Sequence, residues 1–140
     1  MTVYAVYDTN VIVAALISKS SETAVVKALE SLLSGEVIPL YNGDILREYN
    51  EVLHREKFNL PEYLITKVIK YIETHGIASE RINSGEEFID PDDAVFYEVA
   101  LSKEDSFLVT GNTRHFPKTP MVVTPSEFLD ILTKQQHSAD

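Results

Sequence analysis

Short apolar runs rich in β-forming residues alternate along this chain with longer segments of helical pattern. The runs are Val3 to Tyr7, Val37 to Tyr41, Phe107 to Val109 and Met121 to Val123. Parallel strands need long crossover connections, and the crossover helices pack on the faces of the sheet. The sequence therefore predicts an α/β fold, a three-layer α/β/α sandwich around a central, mainly parallel sheet.

Helices are predicted from apolar spacing and from end signals such as capping residues, proline and glycine. Residues 1–134 are expected to form one domain and residues 135–140 a frayed tail. A weak strand is predicted from Ile77 to Ile82. The predicted helices cover positions 11–17, 22–33, 44–53, 61–75, 90–102 and 125–134.

Composition excludes several kinds of site. The chain has 140 residues and no cysteine, which excludes a disulfide scaffold, a thiolate zinc site and a cysteine nucleophile. Its four histidines show no H-E-x-x-H spacing, so an imidazole-rich zinc site is not expected. A length of this order is sufficient to bury a core without disulfides or structural metal.

Charge bears on location and partners. Asp8 and Asn10 interrupt the first apolar run, so we expect a cytoplasmic protein without a signal peptide or a membrane partner. The net charge of −10 argues against broad electrostatic attraction to nucleic acid. A nucleic acid would have to be bound locally, by metal and by two basic clusters that could equally be solvated surface charge. These clusters are His54 to Lys57, and Arg114 and His115 with Lys118.

Three acidic residues could meet in such a fold: Asp8 after the first strand, Glu48 on a helix, and Asp93 in the run Asp90 to Asp93. Carboxylates in one pocket repel each other by roughly 3 kcal/mol per pair at ~5 Å and an effective dielectric of about 20. A hard divalent cation, Mg²⁺ or Mn²⁺, would relieve this repulsion. The pattern therefore predicts a metal-dependent phosphodiesterase.

Each acid also has a purely structural interpretation. Asp8 could cap a helix, although Thr9 and Asn10 could do so in its place. Glu48 borders the buried stripe of its helix and has no cation at helical spacing, so it could be an amphipathic boundary residue. Capping alone could explain Asp90 to Asp93, but Asp93 shares a face with Phe96, which favours it over its acidic neighbours.

The turn Thr110-Gly111-Asn112 closes the strand Phe107 to Val109. Such a turn is a weak signal by itself. In parallel sheets, however, ligands bind beyond the carboxyl ends of the strands. Asp8, Thr110 and Asn112 are therefore expected to cluster.

Together these motifs resemble the PIN domain, and within it the toxin components of toxin–antitoxin systems, the VapC-like ribonucleases. The resemblance spans nearly the whole chain. The segments that carry it are Val6 to Val11, the Glu48 helix with Val52 to Phe58, Asp90 to Phe96 with Ala100, and Val109 to Asn112 with His115 to Pro117.

The resemblance implies a Mg²⁺- or Mn²⁺-dependent endoribonuclease that cleaves single-stranded RNA, with an antitoxin protein as a partner and a homodimer as a possible assembly. Asp8 and Asp93 would bind the metal, and Glu48 would bind it or orient a water. Thr9, Asn10 and Thr110 would hold the carboxylates by hydrogen bonds. Asn112 stands where many members have a fourth acid, so the site carries less negative charge than usual in the family.

Two alternatives remain open from the sequence. One is a PIN module that binds RNA or a partner protein without cutting it, which the residue at position 112 and the acidic surface motivate. The other is a phosphatase with an aspartate nucleophile after its first strand. The second is disfavoured because position 10 is Asn, where such phosphatases have a second aspartate.

Overall fold

The computed structural model describes residues 2–138 of the chain. The described segment alternates strands and helices, as the sequence predicts. The strands are β1 (Val3–Tyr7), β2 (Val37–Tyr41), β3 (Ile77–Ala78), β4 (Phe107–Val109) and β5 (Val122–Val123). The helices are α1 (Thr9–Ile17), α2 (Ala24–Leu33), α3 (Gly43–Leu53), α4 (Glu62–His75), α5 (Ala94–Ala100) and α6 (Pro125–Ser138), and short 3₁₀ turns cover Glu56–Phe58, Pro91–Asp93 and Thr113–His115.

The strands form one five-stranded sheet in the order β3-β2-β1-β4-β5, and every pair in it is parallel. The first strand lies at the centre, with Ala5 opposite Pro39 of β2 and Phe107 of β4. The chain therefore builds the sheet first to one side of β1 and then to the other. The gap between β1 and β4 is the point at which the direction of winding reverses.

Helices cover both faces of the sheet, which confirms the predicted α/β/α sandwich. Tyr7 shows one face: its hydroxyl donates to Ala28 O of α2 at 2.7 Å, and its ring meets the edge of Phe128 of α6. On the other face, helices α3, α4 and α5 pack together. There the Tyr49 hydroxyl of α3 donates to the backbone carbonyl of Tyr7, so this buried residue of β1 is held from both sides.

Some element boundaries differ from the predicted ones. The strand predicted from Ile77 to Ile82 ends at Ala78, because the following segment is bonded to α5 through Ile82 N and Glu98 O, 3.1 Å apart. The helix predicted from position 90 is instead a 3₁₀ turn followed by α5, since the Asp90 side chain accepts a hydrogen bond from Asp92 N at 3.0 Å.

The last helix was predicted to end near Lys134, but it continues to Ser138. Its start is as predicted: a reciprocal capping box joins Thr124 and Glu127 by two hydrogen bonds of 2.8 and 3.1 Å. Of the predicted tail, positions 135–138 are helical, and residues 139 and 140 lie outside the described part. Within residues 2–138, no helix has the length and apolar character needed to cross a membrane.

Candidate active site

The candidate site begins where the central strand ends. Asp8 follows β1 directly and Thr110 follows the neighbouring strand β4, so both lie at the carboxyl edge of the sheet. The ladder continues into both residues: Asp8 N donates to Val109 O, and Thr110 N donates to Val123 O, each at 2.9 Å. The two side chains are thereby brought together at the reversal point of the sheet.

Asp8 is almost entirely buried, with 6% of its surface exposed. It occupies the N-cap position of α1, but its side chain makes no capping hydrogen bond. Instead its Oδ2 accepts hydrogen bonds from the Thr110 hydroxyl at 2.8 Å and from the Asn10 amide at 3.3 Å. Helix capping therefore does not account for this carboxylate.

The electrostatic environment of Asp8 is unfavourable to its charge. Burial raises the pKa of Asp8 from 3.8 to about 6, and the negative charges of Asp93 and Glu48 add to the increase. Hydrogen bonds from the Thr110 side chain and the Thr9 backbone oppose the shift without cancelling it. A carboxylate with a raised pKa beside other acids in a cleft is typical of functional sites.

Glu48 reaches the site from α3. Ile45, Tyr49 and Leu53 form the buried stripe of this helix, and Glu48 lies half-buried at the edge of that stripe. Its Oε2 accepts a hydrogen bond from the Thr9 hydroxyl at 2.9 Å. Burial raises the pKa of Glu48, and nearby carboxylates raise it further, although the Thr9 bond lowers it.

Asp93 ends the 3₁₀ turn that precedes α5, and its side chain is 19% exposed. Burial raises its pKa, as does the charge of Asp90, while His115 lowers it. The His115 Nδ1 lies 3.3 Å from Asp93 Oδ2. Asp90 caps the turn and, like Asp92, is exposed at the same cleft, whereas Asp93 is the more buried of the three acids.

The turn after β4 is tied to the same network. The amide of Gly111 donates to Asn10 Oδ1 at 3.2 Å, and the amide of Asn112 donates to the Thr110 hydroxyl at 3.0 Å. The side-chain amide of Asn112 lies 3.2 Å from the ring nitrogens of His115. Asn112 therefore lines the same cleft as the acids, and it contributes an amide there rather than a further carboxylate.

These side chains line one cleft of about 470 Å³. All seven residues predicted for the site contribute to it or to its hydrogen bonds. The cleft has an acidic side and a second side that sequence reasoning did not assign to the site. That second side consists of Val13, Ala14 and Ile17 of α1, Val52 of α3, and Arg55 and Phe58 beyond it.

A signal for the second side was present in the sequence. Helix α1 is apolar around its whole circumference from Val11 to Ile17, although Ile17 is 48% exposed. A helix that is apolar all round is either fully buried or borders a ligand or partner site. The sequence presents Arg55 as a member of the basic cluster His54 to Lys57 and of the segment Val52 to Phe58 that carries the family resemblance, without assigning it to the site.

A larger depression, of about 720 Å³, lies at the opposite edge of the sheet. Val3, Phe107 and Met121 lie in its lining, at the amino ends of three strands. It contains none of the predicted site residues. The smaller cleft is the better candidate, because ligands of parallel sheets bind at the carboxyl ends of the strands.

Comparison with protein families matches the PIN domain over residues 4–114. The chain belongs to the PIN domain family. The PIN domain is a nuclease fold, and the matched range holds every residue of the candidate site named above except His115. No curated protein and no solved structure matches the chain.

The donor set of this PIN domain fits a hard divalent cation, because Asp8, Glu48 and Asp93 offer carboxylate oxygens at the edge of one cleft. The acids are not arranged as a finished coordination shell. Each is held by its own neighbour, and within residues 2–138 no three acidic or histidine side chains stand close enough to hold one ion as they are placed. Binding of one cation by all three acids would require their side chains to move.

Proposed function

We propose that this PIN domain is a Mg²⁺- or Mn²⁺-dependent endoribonuclease that cleaves single-stranded RNA. The observation that carries the proposal is the buried Asp8, whose pKa is raised by its surroundings and by two further acids in the same cleft. Such a cluster destabilises the metal-free fold, and a bound divalent cation would relieve the repulsion between the carboxylates. The nuclease fold of the family supports the reaction class.

Asp8 and Asp93 would hold the cation directly, and Glu48 would hold it or orient a water. When bound, a divalent cation polarises the phosphodiester and makes a bound water more acidic. The chain's own contribution is orientation. The Thr110 and Asn10 bonds to one oxygen of Asp8, and the Thr9 bond to Glu48, fix the carboxylates that must face the substrate.

The biological setting is also part of the proposal. Resemblance to toxin components suggests a cytoplasmic toxin that is restrained by an antitoxin protein, with a homodimer as a possible assembly. Expression of the wild-type chain should then arrest bacterial growth, and expression of the Asp8→Asn variant should not. Growth arrest by both chains at equal expression would argue against a toxin that acts through this site.

A non-cleaving PIN module is the second candidate. Two observations favour it: Asn112 supplies an amide where a carboxylate is common, and the acids are not assembled around a common point. Such a module would bind RNA or a partner protein without hydrolysis. The phosphatase alternative is weaker still. Such an enzyme would need a second aspartate at position 10 for proton transfer, but this position holds Asn10, whose amide donates to Asp8.

Cleavage of a labelled single-stranded RNA by the purified protein tests the proposal. We expect cutting with Mg²⁺ or Mn²⁺ and none in EDTA. Asp8→Asn and Asp93→Asn should each lower the rate by orders of magnitude, whereas the exposed Asp130→Asn should cut like wild type. Undiminished cutting by both site variants would overturn the assignment, and Mn²⁺ binding without any cutting would favour the non-cleaving module.

A further inference from the structure

Besides its acids, the cleft is lined by part of a short basic and aromatic segment, residues 55–58. Arg55 and Phe58 both line the cleft, at the end of α3 and in the 3₁₀ turn that follows it. Among the described residues that line this cleft, Arg55 and His115 carry the basic groups, and His115 is engaged with Asp93.

The backbone holds this segment in one conformation. Phe58 N donates to Arg55 O at 3.1 Å, and Asn59 N donates to Glu56 O at 3.0 Å. Asn59 then turns the chain with a φ of 47°, a left-handed conformation that asparagine tolerates better than most residues. Phe58 is half-buried against the core, so its ring is a rigid part of the cleft wall.

The charges of this segment are available to a ligand. The Arg55 guanidinium lies 3.8 Å from Glu51, and both side chains are largely exposed, so this ion pair contributes little stability and can be exchanged for a phosphate. Lys57 Nζ lies 5.1 Å from the centre of the Phe58 ring. The lysine side chain is exposed and does not line the cleft, so it would pair with a phosphate next to the cleft rather than inside it.

The chemistry of single-stranded nucleic acid matches this arrangement. Proteins bind such strands by combining cations along the backbone with aromatic rings on which bases stack. The net charge of −10 makes a local arrangement of this kind necessary, since the molecule as a whole repels a polyanion. His54 of the same cluster is instead bonded to Glu62 at 2.6 Å, and Arg114 and Lys118 line a separate depression.

We propose that Phe58 is a base-stacking residue of this cleft and that Arg55 and Lys57 bind the adjacent phosphates. The segment thereby selects a single-stranded substrate with an unpaired base beside the scissile phosphate. The inference rests on the proposed function, because it assumes an RNA strand in the cleft. Among the described residues that line the cleft, Phe58 is the one phenylalanine, tyrosine or tryptophan, and a stacked base would give its ring a ligand.

The test uses the full chain and a short single-stranded RNA with 2-aminopurine, whose fluorescence is quenched by stacking. Phe58→Leu keeps an apolar side chain of similar size but removes the ring, and Phe58→Tyr restores an aromatic face. Tyr63→Leu is the control, since Tyr63 is 72% exposed and does not line the cleft. Melting and Mn²⁺ titration of each variant show whether the fold and the acid cluster are intact.

We expect Phe58→Leu to weaken RNA binding and raise KM by about 5- to 150-fold, since a stacked base contributes about 1–3 kcal/mol. Quenching should be lost in Phe58→Leu and retained in Phe58→Tyr and Tyr63→Leu. An RNA that is abasic at the stacked position should bind wild type and Phe58→Leu equally. Arg55→Gln should weaken binding of the abasic RNA as well, because its phosphates are unchanged.

Equal binding and quenching by wild type and Phe58→Leu would overturn the inference, and so would an equal loss in the Leu and Tyr variants. If wild type cuts RNA but either of these two results is obtained for binding and quenching, the proposed function stands and the assignment of Phe58 as a stacking residue does not. If quenching depends on Phe58 but no RNA is cut, the stacking residue stands and the nuclease does not. If wild type neither binds nor cuts RNA, both are overturned.

Discussion

At the scale of single residues, the ionised Asp8 side chain lowers the stability of the metal-free protein. A carboxylate that is 6% exposed and lies beside two other acids has its pKa raised from 3.8 to about 6. One pKa unit corresponds to about 1.4 kcal/mol, so keeping Asp8 ionised costs the metal-free fold on the order of 3 kcal/mol. Natural proteins accept such a cost mainly at functional sites.

The first prediction follows from the sign of this shift. The native state holds the Asp8 proton more tightly than the unfolded state, so the contribution of Asp8 to the free energy of unfolding is largest below about pH 4, falls as the pH rises to 6, and is constant above that. In EDTA at pH 8, Asp8→Asn should unfold with a free energy about 1–3 kcal/mol higher than wild type. Denaturant melts should show this gap closing toward pH 4.

Added Mn²⁺ should also reduce the difference in unfolding free energy between Asp8→Asn and wild type at pH 8, because the cation binds the wild-type site more tightly than the variant site. Asp130→Asn, an exposed substitution, should track wild type under all three conditions. Equal stability of Asp8→Asn and wild type in EDTA at pH 8 would place Asp8 outside any acid cluster.

Asn112 is the second informative residue. Its side-chain amide stands beside His115, which contacts Asp93, so a carboxylate at this position would lie next to the acids. Asn112→Asp should therefore tighten Mn²⁺ binding and lower the metal-free melting temperature by like-charge repulsion. Calorimetric titration and melting of one variant measure both effects, and an unchanged value for each would assign Asn112 to the turn alone.

At the scale of elements, a buried acid of α5, Glu98, helps to hold the segment 79–90, together with the contact between the Phe88 and Tyr97 rings. Glu98 accepts hydrogen bonds from the backbone and hydroxyl of Ser84 at 2.9 and 2.8 Å, and it pairs with Arg81. Burial works against the charge, but these three partners lower the pKa of Glu98 below its usual value. The segment leads directly into the turn that carries Asp93.

Glu98→Ala should lower the free energy of unfolding by about 2–3 kcal/mol, since it leaves the Ser84 and Arg81 donors without their acceptor. The freed segment should also expose Arg81 to trypsin. Limited proteolysis followed by mass spectrometry should show faster cleavage there than in the exposed control Glu104→Ala. Equal cleavage rates at Arg81 would mean that Glu98 does not secure the segment.

This segment also shows where sequence patterns lose information about elements. Apolar and polar residues alternate weakly over positions 77–82, which predicted a weak strand. The backbone amides of Ile82 and Ser84 instead donate to Glu98, a residue far along the chain. The spacing of apolar residues along the sequence carries no information about such a long-range polar contact. In contrast, β1 and the capping box of α6 depend on local signals, and both were predicted correctly.

At the scale of the whole molecule, the order of strands and helices was sufficient to predict a parallel sheet between helical layers. It also brought Asp8 and Thr110 to the same edge, because both follow neighbouring parallel strands. The sequence did not indicate that Arg55 and Phe58 line the same cleft as the acids. Both residues reach the cleft through the end of α3 and a 3₁₀ turn, whose direction depends on tertiary packing.

The central claim is that Asp8 and Asp93, with Glu48 beside them, form a site for a divalent cation, and calorimetric titration of the wild-type chain with Mn²⁺ tests it most directly. We expect saturable binding that releases protons below pH 6 and strengthens by up to about tenfold per pH unit until Asp8 is ionised, then levels off. Asp8→Asn should abolish this pH dependence and weaken binding at pH 7.5. Absence of saturable binding at pH 7.5, or equal affinity in Asp8→Asn and Asp130→Asn, would contradict the account.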